Sequence, residues 1–143
     1  LSPEGIPSEL LGEALGPLNG RLAASADYAQ WPAAVIDKDL RITAGGRAYG
    51  LLSESEKWRA DAMIAEAVSH VSGARLLVLD RADVLDIQGR EDLLYWLDGI
   101  AANGDIDTAI VFATLKAAPT TSMENVQSIW IENGTTGTLR EAA

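Results

Sequence analysis

The run Leu76-Leu77-Val78-Leu79, closed by Asp80, constrains this chain more than any other stretch. Four consecutive aliphatic residues without polar alternation are the pattern of a parallel strand covered by helices on both faces. That pattern predicts the α/β class. Asp80 then stands at the C-terminal end of the strand, the edge of an open α/β sheet where ligands bind. One short stretch therefore predicts both a fold class and the position of a site.

The flanking segments extend this reading. Over residues 8–26, Leu10, Leu11, Ala14, Leu15, Leu18 and Leu22 share one helical face, and Gly16-Pro17 is expected to kink or divide the helix. Next, Leu40 and Ile42 alternate with Asp39, Arg41 and Thr43 between the turn signals Asp37-Lys38 and Gly45-Gly46, which predicts a small antiparallel meander. From Ser53 the pattern turns helical. Ala60, Ile64, Ala67, Val68 and Val71 form a stripe, and Gly73 closes it as a C-cap. After the strand at 76–80, a helix over 89–102 ends at Asn103-Gly104 and leads into a second apolar run, 108–114. A last strand over 127–133 alternates Ile129 and Ile131 with Ser128, Trp130 and Glu132, and residues 133–140 read as a turn and tail. The order predicts one α/β domain over 1–143: a half-sheet with an antiparallel flap in front.

Composition removes several function classes. There is no cysteine, so disulfides and thiolate metal sites are excluded, and the single His70 excludes a multi-histidine site. The absence of cysteine suits a cytoplasmic protein. A formal net charge of -10 argues against a broad phosphate-binding surface, so contact with nucleic acid would need another segment or partner. No apolar run approaches the roughly 20 residues that span a bilayer. The chain begins at Leu1, and a longer parent is expected. Trp31, Trp58, Trp96 and Trp130 lack basic interleaving, which favours packing over base stacking.

Ser53, with Glu56 three residues on, forms a capping box. A helix N-terminus with a serine hydroxyl is also an anion site, so cap and phosphate site both remain open for this segment. Together, "LSESEK", a helix and "RLLVLDRADVLD" resemble the C-terminal lobe of the ATPase head in the SMC, SbcC and related DNA-repair and chromosome ATPases, a branch of the ABC-type P-loop ATPases. The resemblance rests on the order and spacing of short motifs and covers nearly the whole chain. It implies that residues 52–56 correspond to the signature motif, the strand ending at Asp80 to the Walker B strand, and 84–86 to the D-loop. The N-terminal helix corresponds to the foot of a coiled coil.

The resemblance further implies an ATP sandwich between two heads. Ser53 and Ser55 would meet the γ-phosphate in trans with Glu54 shaping the same ATP-binding segment, Asp80 would hold Mg2+ through water in cis, Asp86 would lie at the dimer contact, and Thr114 would lie beside the γ-phosphate. Three departures change the chemistry. Glu54 and Ser55 stand where the family has two glycines, Arg81 stands where it has the glutamate that polarises water, and Thr114 stands where it has a histidine. A guanidinium cannot take a proton from water, whereas a fixed cation beside phosphates can favour the closed sandwich. Asp83 is a candidate replacement base, or an acid paired with Arg81 or Arg90. Asp86 is equally an N-cap for the next helix. No G-x-x-x-x-G-K-[ST] loop is present. A Walker A-bearing N-terminal lobe, in the same or another chain, is therefore the expected partner, with a head-head homodimer, slow hydrolysis or ATP-gated clamping, and DNA reached through other segments. The alternative is an interaction module that keeps the fold without the chemistry.

Overall fold

The computed structural model describes residues 5–119 and 123–138. Helix α1 (Gly5–Ala29) contains Pro17 and continues through it, so the expected division at Gly16-Pro17 does not occur. Proline removes one backbone donor but its fixed φ is helical, and burial of Leu15 and Leu22 anchors the helix on both sides. The expected apolar face is buried from Leu15 onward but not at the start of α1. Leu22, Ala26 and Ala29 enter the core, whereas Leu10 and Ala14 are exposed.

The meander forms as expected: β1 (Ala34–Ile36), β2 (Ile42–Ala44) and β3 (Arg47–Ala48) pair antiparallel. Asp37 Oδ1 accepts from the amides of Asp39 and Arg41, both at 2.9 Å, which closes the first turn. Gly45 and Gly46 have φ of 57° and 74°, the left-handed values that the second turn demands and that glycine adopts freely. Asn19 of α1 donates to Ile36 O at 2.8 Å and accepts from Ile36 N at 2.9 Å, fixing the meander to the helix.

Helix α2 (Glu54–Ser72) runs from the Ser53 cap to Gly73, which is left-handed at φ 74°. Its inward face is Ala60, Met63 and Ala67, with Ala62 also buried; Val68 and Val71, expected in the stripe, are exposed. The core-facing arc is rotated from the expected stripe because Met63 and Glu66 are buried in place of the two valines.

Strand β4 (Leu76–Leu79) pairs in parallel with β5 (Thr108–Val111), with Leu76 opposite Thr108 and Leu79 opposite Val111. Helix α3 (Ile87–Ala102) connects them. Leu77 and Leu79 point into a core with Leu22, Leu93, Trp96 and Ile100. The other face corrects the expectation of two-sided burial. Leu76 and Val78 on β4, with Ile110 and Phe112 at β5, remain 44–54% exposed, so among the described residues this sheet is covered on one face only.

Strands β6 (Ile129–Glu132) and β7 (Thr135–Thr138) form a separate antiparallel hairpin, turning at Asn133-Gly134 with φ of 50° and 75°. Residues 133–138 are thus a turn and a strand rather than a turn and tail; Leu139 and Arg140 lie outside the described residues. Two more corrections follow: among the described residues the expected half-sheet is two separate two-stranded sheets, β4–β5 and β6–β7, beside the three-stranded meander, and Ile129 and Ile131 do not extend the β4–β5 pair. Trp96 is fully buried and donates to Ser25 Oγ at 2.9 Å, with Trp31 packed 5.3 Å away, as the packing assignment expected. Among the described residues, no helix is long and apolar enough to cross a membrane.

Candidate functional site

The C-terminal end of β4 and the first turn of α2 meet. The Trp58 indole N–H donates to Asp80 O at 2.7 Å, and Arg81 Nη2 lies 3.1 Å from Glu54 Oε1. Glu54 and Trp58 are four residues apart on α2, so one helix face holds two consecutive residues of the strand end. The capping box is present: Glu56 N donates to Ser53 Oγ at 3.4 Å, and Ser53 N donates to Glu56 Oε2 at 2.8 Å. Arg47 of β3 pairs with the same glutamate, and together with the Ser53 amide it lowers the Glu56 carboxyl to about 2. Ser55 Oγ lies 3.4 Å from Ser53 Oγ.

Asp80 Oδ1 accepts from Arg81 N at 2.7 Å. Arg81 is left-handed at φ 58°, ψ 37°, a conformation that costs a non-glycine residue of order 1 kcal/mol and persists where surrounding contacts dictate it. The expected pairing of Asp83 with Arg81 or Arg90 is corrected. The Arg81 side chain reaches back to α2, Arg90 Nε donates to Asp86 O at 3.3 Å, and Asp83 Oδ1 accepts from Thr114 N at 3.2 Å. Asp83 and Thr114 are therefore joined, tying the turn after β4 to the chain after β5. Asp86 caps α3, its Oδ1 accepting from Gly89 N at 2.7 Å. A Cβ at Gly89 would lie 2.8 Å from Arg59 Nη2 and 2.9 Å from Asp86 Oδ1, so Arg59, which lies over the Trp31 ring, occupies space that only glycine leaves.

Ser53, Glu54, Ser55, Asp80 and Arg81 thus share one edge, with Asp83 and Thr114 joined on the loops that follow β4 and β5. No group of three or more acidic or histidine side chains suited to a metal exists among the described residues. Asp80 alone suits a cation that arrives with phosphates and keeps most of its waters, since Mg2+ in such sites takes one or two carboxylates.

A second charged cluster was not anticipated from the sequence. Arg21 Nε and Nη2 donate to Glu66 Oε1 at 2.8 and 2.5 Å, and Nη2 lies 3.0 Å from Asp105 Oδ2. Asn103 donates to Asp105 Oδ2 at 3.0 Å, and His70 Nδ1 stands 3.7 Å from Asp105 Oδ1. Burial raises the Asp105 carboxyl, but Asn103, Arg21 and His70 outweigh it and hold the group below its ordinary value. Glu66 Oε2 is buried with no hydrogen-bond partner among the described residues. The available signal was an acid on the same helix face as Ala62 and Met63, four and three residues before it.

A cavity of about 650 Å3 opens between α3, β5 and residues 125–130. Its lining is largely apolar, including Leu93, Leu97, Ile106 and Val111, and only its end near Ala82 and Ala113 approaches the strand-end residues. Asp80 and Arg81 do not line that cavity. No protein-family model matches the chain, and no curated protein matches it either.

Proposed function

We propose that this chain is the C-terminal lobe of an SMC/SbcC-like ATPase head. It would contribute the signature-like segment 52–56, the Walker B acid Asp80 and the D-loop segment 84–86 to an ATP sandwich between two heads. The observation that carries the reading is the joining of the two motif segments: Trp58 and Glu54 on α2 hold Asp80 and Arg81 at the end of a parallel strand. The uncovered strip Leu76, Val78, Ile110 and Phe112 also supports it. Parallel sheets are normally covered on both faces, and a Walker A-bearing N-terminal lobe would supply the cover. The exposed Leu10 end of α1 suits the foot of a coiled coil.

In this reading Mg2+ would be held through water by Asp80, and it would neutralise phosphate charge. Ser53 and Ser55 would meet the γ-phosphate of the opposing head, and Asp86 would lie near the dimer contact while capping α3. Arg81 cannot act as a base, so it would favour the closed, nucleotide-bound state. Asp83, bonded to the Thr114 amide, is the remaining acid beside the site. The function that follows is slow hydrolysis or ATP-gated clamping, with DNA contacted by other segments.

Calorimetry and reconstitution test this. The chain alone should give no saturable heat with Mg-ATP, because it has no phosphate-cradling loop. Joined to a Walker A-bearing lobe, it should form an ATP-dependent head dimer that Asp80→Asn abolishes. Micromolar ATP binding by the chain alone would contradict the half-site. Failure to assemble with any such lobe would favour the interaction module.

A further inference from the structure

Glu54 and Arg81, the charged pair that joins α2 to the strand end, lie 27 positions apart in sequence and meet at 3.1 Å. We propose that Glu54 is the positioning residue for Arg81, the two forming a latch that holds the guanidinium against α2 until a terminal phosphate displaces the carboxylate. The proposal rests on the ATP-sandwich reading and adds a threshold for nucleotide loading.

The contacts from α2 to the strand end come as an inner and an outer pair. The inner one, Trp58 to Asp80 O at 2.7 Å, uses a backbone acceptor and a half-buried indole, and it fixes the helix to the strand. The outer one joins two exposed side chains, Arg81 at 64% and Glu54 at 75%, and is open to exchange with a ligand in solvent. Arg81 has little freedom in its backbone: it is left-handed, and its N–H is bonded to Asp80 Oδ1 at 2.7 Å. The side chain therefore starts from a fixed point and selects between acceptors. At rest the acceptor is Glu54. An exposed carboxylate pair is weak, whereas a phosphate offers several charged acceptors to the guanidinium fork. Phosphate can therefore take the arginine, and Glu54 raises the concentration at which it does so.

A double-mutant cycle on the chain alone addresses the latch without nucleotide. Wild type, Glu54→Gln, Arg81→Met and the double variant are unfolded with urea at low and high salt. The expected coupling is about 1.5- to fivefold in the unfolding equilibrium at low salt, the range for exposed pairs, vanishing at high salt. Additive effects at low salt would remove the latch whatever the chain binds. The head reconstituted with a Walker A-bearing lobe supplies the second measurement. Glu54→Gln should lower the Mg-ATP concentration for half-maximal head engagement several-fold and flatten its salt dependence, and in the Arg81→Met background it should do much less. Unchanged or weakened engagement in Glu54→Gln would overturn the proposal. If the cycle shows coupling but wild-type heads never engage with ATP, the sandwich reading itself fails, and the gating role fails with it.

Discussion

The middle and the N-terminal end of α2 both carry arginine–glutamate pairs, and they differ in burial. At Glu66 the pair with Arg21 is enclosed, with side-chain exposures of 9% and 0%, and a second acid, Asp105, completes it. At Glu54 the pair with Arg81 lies in solvent. Water weakens the exposed pair, while low polarity makes the buried one costly to break. The same chemistry thus has two uses along one helix: α1, α2 and the loop before β5 are locked together at one level, and at the other a cation is left available for exchange.

The largest expected effect tests the buried half of this contrast. Arg21→Met leaves Glu66 enclosed without a cation and should lower stability by about 3–5 kcal/mol, read from urea unfolding. A loss below about 1 kcal/mol would erase the contrast. The network also has a pH signature. Asp105 has a lowered carboxyl in the folded chain, so its contribution is present above the ordinary aspartate value of 3.8 and is lost as pH falls through the lower folded value. Arg21→Met should flatten that acid limb.

The helix caps come next. Asp86→Ala removes the 2.7 Å bond to Gly89 N and should cost about 1 kcal/mol, within the usual range for caps. Ser53→Ala should cost less than Asp86→Ala, because its bond to Glu56 N is 3.4 Å long. The reverse order would mean that the α2 terminus is held more tightly than its geometry indicates. Glu56 titrates at about 2 instead of its ordinary 4.5. Its contribution is full above 4.5 and declines as pH falls towards about 2, so Glu56→Gln should reduce the slope of stability in that interval.

The smallest effect belongs to the exposed pair. Arg81→Met should change the stability of the chain by no more than about 1 kcal/mol, and high salt should remove the difference. A larger, salt-independent loss would place Arg81 with the structural charges and against the functional contrast drawn between the two pairs.

Local signals in the sequence carried well into the structure where a single residue type dictates a conformation. Ser53 with Glu56 formed the capping box, Gly73 the left-handed stop, Gly45-Gly46 the turn, and Asp86 the cap of α3. What depended on distant partners was less legible. Aliphatic periodicity placed Val68 and Val71 in the core, but helix rotation is set by what packs opposite, and Met63 and Glu66 are buried instead, Glu66 against Arg21 of α1. The run 76–79 identified a parallel strand correctly but could not reveal which face would stay uncovered. At the site, Asp80, Arg81 and the Ser53 segment could be named from motif order. The partner of Arg81 could not, because Glu54 and Asp83 are both acids within chain reach, and the left-handed turn at Arg81 decides between them.

The β4–α3–β5 unit also sets an order of events in time. Its strands pair across 32 residues, from Leu76 to Thr108, and α1 meets β1 across only 17 at Asn19–Ile36, whereas α1 reaches α2 and α3 across 45 residues at Glu66 and 71 residues at Trp96. Short-range contacts require less loop-closure entropy and form early. Docking of α1 onto α2 and α3 is therefore expected late on the folding path, after the barrier is largely crossed. Arg21→Met should then accelerate unfolding far more than it slows refolding, so that the Arg21–Glu66 contact acts as a kinetic lock.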